Sequence, residues 1–269
     1  EDTLLRVKQA DIAMSALPLL AGRFVFAGIF IDSIGANFTV FPDSTSNWDL
    51  VIENSQVDTI AIVVDEDSGE TSVSGIAIKQ FVINDADILY DDQVSGQYVS
   101  LNGGSLELRG GMSKQRGLFL NVDFDSKSVN YVSQGEHFID DLSIGLQGRF
   151  FVKNDSSAIM LNNTKLRLNN IDVTCNGSIF SDTSVVDGGA ILDLNYSLEL
   201  PELNELWRVV PHRYAQFAEG VQVSGLAKCQ GNVYGKLNNN ELPHIDGEFM
   251  TQSVSFQHKD MLGSIDTLD

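Results

Sequence analysis

The chain has 269 residues and a mass of 29.4 kDa, a size that allows one large domain or two small ones with a buried core. Its 37 acidic and 17 basic side chains give a formal net charge of -20 at pH 7, so electrostatic binding to nucleic acid is excluded. The content of 43% hydrophobic residues is typical of a folded protein and excludes a disordered chain.

The two ends of the sequence carry no targeting pattern. There is no run of about 20 apolar residues, the length that a membrane-spanning helix needs, and no signal peptide pattern at the start. The chain begins at Glu1 without a methionine and ends at Asp269, directly after a predicted strand. We therefore expect it to be a piece of a longer protein.

Alternation of apolar and polar residues, the pattern of a strand with one buried face, is the dominant periodicity of the sequence. In the first part of the chain it predicts strands over residues 4–13, 23–31, 37–41, 57–65, 76–83, 86–90 and 105–109. Turn-forming residues separate the apolar runs at 65–69, 91–92, 102–104, 154–155, 162–163, 187–189 and 238–240. Short connections of this kind predict antiparallel hairpins in meander order.

Three segments in the middle of the chain show the alternation most clearly. Their apolar positions are Leu118, Leu120, Val122 and Phe124; Leu142, Ile144, Leu146 and Phe150; and Leu192, Leu194, Tyr196 and Leu198. Polar residues occupy most positions between them, so each predicted strand has one apolar face and one polar face. Further strands are predicted over 171–179, 221–234 and 245–256.

Residues 201–220 form the one segment with helical periodicity. Pro201 suits the first helical position, Gly220 suits the position after the last turn, and Pro211 is expected to kink or split the helix. The predicted architecture is therefore all-β, an antiparallel meander in a single domain over 1–269. It has strand repeats over 1–200, a short kinked helix near 202–218 (within 201–219), and further strands over 220–269.

More than a dozen one-sided strands need a cover for their apolar faces, and one kinked helix is too small to provide it. Three arrangements solve this problem: a sandwich of two sheets, a closed barrel, or one long sheet that curls into a groove whose apolar interior faces a ligand. The alternation alone does not choose between them. A parallel α/β fold is not expected, because its crossovers need helices that the sequence lacks.

The sequence contains no signature of a common enzyme. Nucleophile-elbow, dinucleotide-binding and P-loop motifs are absent. Paired carboxylates such as Asp123 and Asp125 lie on the polar face of a predicted strand, where solvation explains them, and the four histidines lack metal-ligand spacing. We therefore expect a protein that is not an enzyme, with no cofactor and no metal ion.

The two cysteines, Cys175 and Cys229, lie far apart in sequence and have no metal-ligand spacing. The burial habits of free cysteine favour two separately buried thiols. A single disulfide between them in an oxidising compartment stays open at this point.

Several short segments of the chain resemble the AsmA family. In the first third these are residues 3–7, 17–23, 29–32 and Asn47-Trp48-Asp49, and the last is the most specific. Residues 76–92 resemble the next unit of that family. The segment 198–206, followed by 223–227, resembles its helix-and-strand unit.

The resemblance implies a periplasmic protein that is anchored to the inner membrane through a segment absent from this chain. Proteins similar to this family have a curled sheet, and its apolar inner surface conducts glycerophospholipids toward the outer membrane. Phospholipid acyl chains are therefore the expected partners, and no site residues are carried over. The alternative is a β-sandwich or solenoid that serves as an interaction or adhesion module.

The candidate groove-lining residues follow from the alternation itself. They are the twelve apolar residues of the three clear strands, because too many one-sided strands have too little protein to cover them. The predicted helix is interpreted as a cap on one end of this groove.

Overall fold

The computed structural model describes residues 3–15, 25–49, 77–113, 117–152, 158–181, 189–209, 220–238, 241–259 and 265–268. Within these ranges the chain forms a 13-stranded sheet and one short 3-10 helix. The all-β class that the alternation predicts is therefore confirmed.

The first strands are β1 (Leu5–Met14), β2 (Val25–Val40), β3 (Ala77–Ile78), β4 (Gln80–Asp92), β5 (Gln97–Ser113), β6 (Gly117–Ser133) and β7 (Glu136–Val152). They continue as β8 (Ala158–Leu168), β9 (Ile171–Ser181), β10 (Ala190–Leu200), β11 (Val221–Leu237), β12 (His244–His258) and β13 (Ile265–Leu268). The 3-10 helix spans Leu203–Arg208, between β10 and β11.

The sheet follows a meander along most of its length. From β4 to β13 each strand pairs antiparallel with the next one in sequence. β1 also pairs antiparallel with β2, whereas β2 pairs parallel with β4, and the two-residue β3 pairs with β2. The sheet does not close on itself. Of the three arrangements that the sequence leaves open, the structure has the groove-like sheet.

The boundaries of several predicted elements differ from the structure. The predicted strands 23–31 and 37–41 are parts of one strand, β2. The predicted turns at 102–104 and 162–163 are wrong, because these residues lie inside β5 and β8, and β8 has no counterpart among the predicted strands. The predicted strand 57–65 and the predicted turns 65–69 and 154–155 lie outside the described residues.

Residues with a positive φ angle bend the sheet in the middle of its strands. They occur in β2, β4, β5 and β7, with φ angles of 51°, 56°, 59° and 51°, at Ser33, Asp85, Gly103 and Asp141. In β6, which lies between β5 and β7, the register shifts between Ser126 and Val129. Because a bulge bends its strand and increases the local twist, a line of bulges across neighbouring strands curls the sheet. We call this line, from Ser33 to Asp141, the crease.

Side chains of neighbouring strands bind the backbone amides at these bulges. At the crease, Asp87 Oδ1 accepts a hydrogen bond of 2.9 Å from the Gly103 amide. In β8, the Asn163 amide donates to Asn176 Oδ1 at 2.6 Å. A backbone amide without a hydrogen-bond partner costs free energy. These side chains supply that partner, so a bulge can form inside a strand. The residues that predict turns therefore form bulges and bulge ligands instead.

Only a small part of the described chain is fully buried. The buried apolar cluster consists of Ile171, Leu200, Leu203 and Ala227, where the 3-10 helix meets the end of β10. Most other apolar side chains of the described strands are half-buried or exposed.

The segment predicted as a kinked helix contains a 3-10 helix, not an α-helix, in its described part. Residues 210–219, which include Pro211, lie outside the described residues. The 3-10 helix packs on β10 and β11, and Leu203 at its start is only 8% exposed. The described part of the segment therefore covers the ends of two inner strands, β10 and β11, and lies at neither end of the strand order.

Candidate functional site

The apolar residues of successive strands lie in register across the sheet. Direct cross-strand partners point to the same face, so the partners can be followed from one strand to the next. One such line crosses eleven strands, from β1 to β12, and contains apolar residues and one cysteine. We call it the floor row: Ala10, Ile31, Ile83, Leu106, Phe124, Leu146, Leu166, Val173, Leu198, Cys229 and Phe249.

The floor row and the apolar residues beside it form one face of the sheet, which we call the groove face. Neighbouring strands are about 4.8 Å apart, so ten strand spacings make the floor row about 48 Å long. The hydrocarbon core of a bilayer is about 30 Å thick, which gives each lipid tail a length of about 15 Å. The floor row is therefore about three tail lengths long.

All twelve predicted lining residues lie on the groove face. Phe124, Leu146 and Leu198 belong to the floor row itself, and the others flank it on β6, β7 and β10. Only Leu142 is buried, at 6% exposed, while the other eleven are half-buried. In a closed core such side chains have contacts on all sides. The described part of the chain therefore leaves the outer ends of these side chains uncovered.

The opposite face of the same strands is mostly polar, with exposed apolar exceptions at Phe119, Met160, Phe180 and Ile191. In β10 the residues between the lining positions are Asp193, Asn195, Ser197 and Glu199, and all four are exposed. Lys228 of β11 forms an ion pair of 2.9 Å with Glu199 on this face. The two faces of the sheet thus differ as the alternation predicts. The groove face is apolar, and the opposite face carries the polar side chains.

The 3-10 helix covers one corner of the groove face. There Leu200 is 1% exposed, Ile171 is 2% exposed and Ala227 is completely buried. Leu203 completes this cluster, and Leu206 of the same helix packs against it. We call the four buried residues the capped corner. It shows how the groove face looks where protein does cover it.

Two side chains next to this corner tie the helix to the free edge of β11. β10 ends at Leu200, so no described strand pairs with the first residues of β11 on that side. Glu202 Oε1 accepts a hydrogen bond of 3.2 Å from the Gly225 amide, and Asn204 Oδ1 accepts one of 3.3 Å from the Val223 amide. The segment that caps the groove therefore also satisfies the edge of the strand beneath it.

A cavity of about 500 Å³ opens between the 3-10 helix and the start of β7. Trp207 of the helix and Leu142 of β7 contribute apolar walls, and Lys127, Asp140 and Asp141 contribute charged groups. This volume is in the range of small-molecule sites. We call it the rim cavity. Sequence reasoning singled out Leu142 alone, because the other groups come together only through the fold.

The two cysteines lie on the groove face, and both are free and half-buried. Cys175 is on β9 and Cys229 is on β11, so β10 separates them and their strands are about 10 Å apart. A disulfide needs Cα atoms within about 7 Å. The two thiols therefore do not pair in this fold. Burial raises the pKa of the Cys175 thiol above its ordinary range.

Tyr196, one of the predicted lining residues, also has a structural role. Its hydroxyl donates a hydrogen bond of 3.3 Å to the Asp246 carbonyl oxygen and lies 3.6 Å from Cys229 Sγ. The contact with Cys229 raises the pKa of the Tyr196 hydroxyl. A Cβ atom added to Gly247 would lie 2.6 Å from that hydroxyl. The tyrosine therefore spans from β10 to β12 across positions that glycine leaves open.

The Asn47-Trp48-Asp49 motif fixes the end of β2. The Asn47 side chain donates a hydrogen bond of 2.8 Å to the Asn37 carbonyl oxygen and accepts one of 2.9 Å from the Thr39 amide. These bonds satisfy backbone groups of β2 beyond the last residue that pairs with β1. The motif on which the family resemblance mainly rests is therefore structural in this chain.

Beyond the groove face and the rim cavity, the described residues form no further functional signature. In the described ranges, no group of three or more His, Cys, Asp or Glu side chains is arranged to hold a metal ion. None of the helical structure described here is long and apolar enough to cross a membrane. Comparisons with family models, curated proteins and solved structures found no match. The candidate site therefore rests on the groove face and the rim cavity.

Proposed function

We propose that this chain is an AsmA-like periplasmic protein, not an enzyme, that binds phospholipid acyl chains on its groove face and conducts them along it. In this way it contributes to lipid transport and outer-membrane biogenesis. The observation that carries the proposal is the floor row, in which eleven strands place apolar side chains in register. An uncovered apolar surface of this length is typical of a binding surface.

The energy of acyl-chain burial fits a surface that binds and releases. Burial of a 16-carbon tail gains about 0.8 kcal/mol per methylene group, or about 12 kcal/mol in total. A groove that covers one side of each tail recovers about half of this, about 6 kcal/mol per tail, so the two tails of one phospholipid recover about 12 kcal/mol, which corresponds to a dissociation constant of about one nanomolar. Binding of this strength holds a lipid out of water and still allows exchange.

The chemistry of the floor row favours movement along it. The eleven side chains of the floor row carry no charge and no amide, hydroxyl or carboxyl group. A methylene chain makes the same contacts at each position, because dispersion and hydrophobic contacts have no preferred direction. A tail can therefore shift by one strand spacing without the loss of a specific hydrogen bond.

The periplasmic location and the membrane anchor in the longer protein belong to the same proposal and come from the family resemblance. Two features support that resemblance. The open, groove-like sheet is the architecture that it implies, and the described part of 198–206 contacts the strand that contains 223–227. These are the two segments that resemble a single unit of the family.

The charge of the chain supports binding through the groove face alone. A net charge of -20 repels anionic lipid headgroups from the polar face, because like charges raise the free energy of approach. The same charge keeps an apolar-lined single sheet in solution. The acyl chains are therefore directed to the groove face, whose floor row carries no charge.

Native mass spectrometry of the gently purified chain, followed by lipid extraction, tests the proposal. We expect stoichiometric phospholipid on the wild-type chain. Leu194→Glu places a carboxylate on the groove face and should remove most of that lipid, because a charge is costly against acyl chains. Asn195→Glu, the matched control, places the same charge on the polar face of the same strand and should keep it.

Two outcomes would overturn the proposal. One is a lipid-free mass for a wild-type chain that unfolds cooperatively, which would favour an interaction module instead. The other is equal loss of lipid in both variants while their circular dichroism stays that of the wild type.

A further inference from the structure

The rim cavity combines apolar walls with charged groups of both signs. Trp207 and Leu142 provide the apolar surface, Lys127 provides a cation, and Asp140 and Asp141 provide two carboxylates. Among the described residues, no ion pair joins these charged groups to one another or to a further side chain. Their charges are therefore available to a ligand.

The walls that carry these charges are held by hydrogen bonds. The Asp141 amide donates to Asn130 Oδ1 at 2.8 Å, which fixes the backbone of Asp141 at its φ angle of 51°. On the other side of the cavity, the Ser143 amide donates to Asn169 Oδ1 at 2.9 Å. The β8–β9 turn is thereby fastened to β7, and a ligand meets a pre-organised site.

The stem of Lys127 also has a fixed place. A Cβ atom added to Gly103 would lie 2.6 Å from Lys127 Cδ, so the lysine stem runs directly over this glycine. Gly103 has a φ angle of 59° as well, which other residues rarely adopt. The crease therefore positions the stem of Lys127, whose ammonium group is the cation of the rim cavity.

A strip of lining residues leads from the rim cavity to the floor row. Leu142, Ile144 and Leu146 lie on the same side of β7, and Leu146 is a member of the floor row. At about 3.3 Å per residue, the distance from Leu142 to Leu146 is about 13 Å, close to the length of about 15 Å for one lipid tail. A lipid with its headgroup in the cavity therefore reaches the floor row with its tail.

We infer that the rim cavity binds the headgroup of a zwitterionic phospholipid, with the phosphate at Lys127 and a primary ammonium group at Asp140 and Asp141. This inference rests on the proposed function, because it assigns the headgroup of the lipid whose tail lies on the groove face. One lysine and two carboxylates carry a net charge of 1 − 2 = −1. A headgroup with a phosphate but no ammonium meets an excess of like charge there.

A displacement assay on the full chain tests this preference. The probe is N-phenyl-1-naphthylamine, an uncharged dye that fluoresces on apolar surfaces, and the competitors are dioctanoyl phosphatidylethanolamine and dioctanoyl phosphatidylglycerol. We expect the ethanolamine lipid to displace the dye at a concentration about threefold to fivefold lower, as partly exposed ion pairs allow. In the double variant Asp140→Asn, Asp141→Asn, the two lipids should displace it equally.

Two further variants separate the roles of the charges. Lys127→Gln should weaken displacement by both phospholipids but not by dioctanoylglycerol, which has no phosphate. Asp193→Asn, on the polar face, removes one carboxylate outside the cavity and should keep the wild-type preference.

The outcomes distinguish this inference from the proposed function. If the dye does not bind the wild-type chain, or neither lipid displaces it, the groove proposal fails. If both lipids displace it equally from the wild type, or the preference survives in the double variant, the headgroup inference is overturned and the groove proposal stands.

Discussion

The capped corner and the floor row lie on the same face of the same sheet, and they differ in what covers them. At the corner, Leu200 is 1% exposed, because Leu203 and the rest of the 3-10 helix pack over it. Along β10, Leu198, Leu194 and Leu192 continue the same alternation, yet they stay half-buried. One strand therefore contains both a protein core and an uncovered apolar surface.

This difference separates residues that stabilise the fold from residues that are free to bind. Six residues of 3-10 helix suffice to bury Leu200, and no other described element packs on the rest of this face in the same way. A leucine in the capped corner should contribute mainly to stability. A leucine beside the floor row should contribute mainly to binding.

The largest expected effect concerns a leucine of the capped corner. Leu200→Ala should lower the free energy of unfolding by about 2–5 kcal/mol, because it leaves a cavity among buried neighbours. Leu194→Ala should lower it by about 1 kcal/mol, because a half-buried side chain loses less transfer energy. Urea denaturation followed by circular dichroism measures both. Equal losses of unfolding free energy in the two variants would contradict the distinction between the capped corner and the leucines beside the floor row.

The second prediction concerns backbone spacing beside the floor row. A Cβ atom added to Gly231 would lie 1.9 Å from the Asp246 carbonyl oxygen, so β11 and β12 must separate. Gly231→Ala should therefore cost about 1–3 kcal/mol of stability, as overpacking does. At Gly35 an added Cβ has nothing within 4 Å, and Gly35→Ala should change stability by less than about 0.5 kcal/mol. Thermal unfolding of the two variants side by side tests this, and a similar melting temperature for both would refute it.

The third prediction concerns the attachment of the cap. Glu202→Ala removes the acceptor of the Gly225 amide and should cost about 1 kcal/mol, the net value of one hydrogen bond. Glu202→Gln keeps a side-chain oxygen at this position and should recover most of the loss. Hydrogen exchange at the Gly225 amide measures the effect directly. Faster exchange in both variants, or in neither, would show that the carboxyl oxygen does not hold the cap.

The smallest expected effect concerns the cysteines of the groove face. Because burial raises the pKa of Cys175, its reactive thiolate is scarce at pH 8, and its alkylation rate should rise about tenfold per pH unit there. Bound phospholipid should slow alkylation of Cys175 and Cys229 a few-fold relative to the delipidated chain, since acyl chains cover both thiols. Mass spectrometry of iodoacetamide-treated protein gives both rates, and identical rates with and without lipid would place the lipid elsewhere.

The sequence predicted the two faces of the sheet correctly because a strand has a side-chain period of two residues. The twelve lining residues lie on one face, although the register shifts in four pairings, β4 with β5, β6 with β7, β7 with β8, and β8 with β9. Each bulge adds one residue to its strand, so the apolar side chains beyond the bulge again point to the same face of the sheet. Local alternation is therefore enough to assign a face within each uninterrupted run.

The sequence did not distinguish turns from bulges. Residues 102–104 and 162–163 combine asparagine and glycine, and such residues adopt positive φ angles in hairpin turns and in bulges alike. The deciding partners, Asp87 for Gly103 and Asn176 for Asn163, lie in neighbouring strands. A pattern of neighbouring residues along the chain therefore does not reveal these hydrogen-bond partners.

The rim cavity and the capped corner were unpredictable for the same reason. Lys127, Leu142 and Trp207 are up to 80 residues apart in sequence and line one cavity only because the fold brings the 3-10 helix near the start of β7. The parallel pairing of β2 with β4 also depends on long-range contacts. Alternation fixes which side of a strand is apolar, whereas the order of strands and the place of the cap follow from tertiary packing.

The most direct test of the groove face uses two neighbouring residues of β10. A photoactivatable benzoylphenylalanine at position 194, in place of Leu194, lies on the groove face, and the same group at position 195, in place of Asn195, lies on the polar face. After illumination in the presence of phospholipid, mass spectrometry should find lipid crosslinked at 194 and none at 195. Crosslinking at both positions alike, or at 195 alone, would contradict the account.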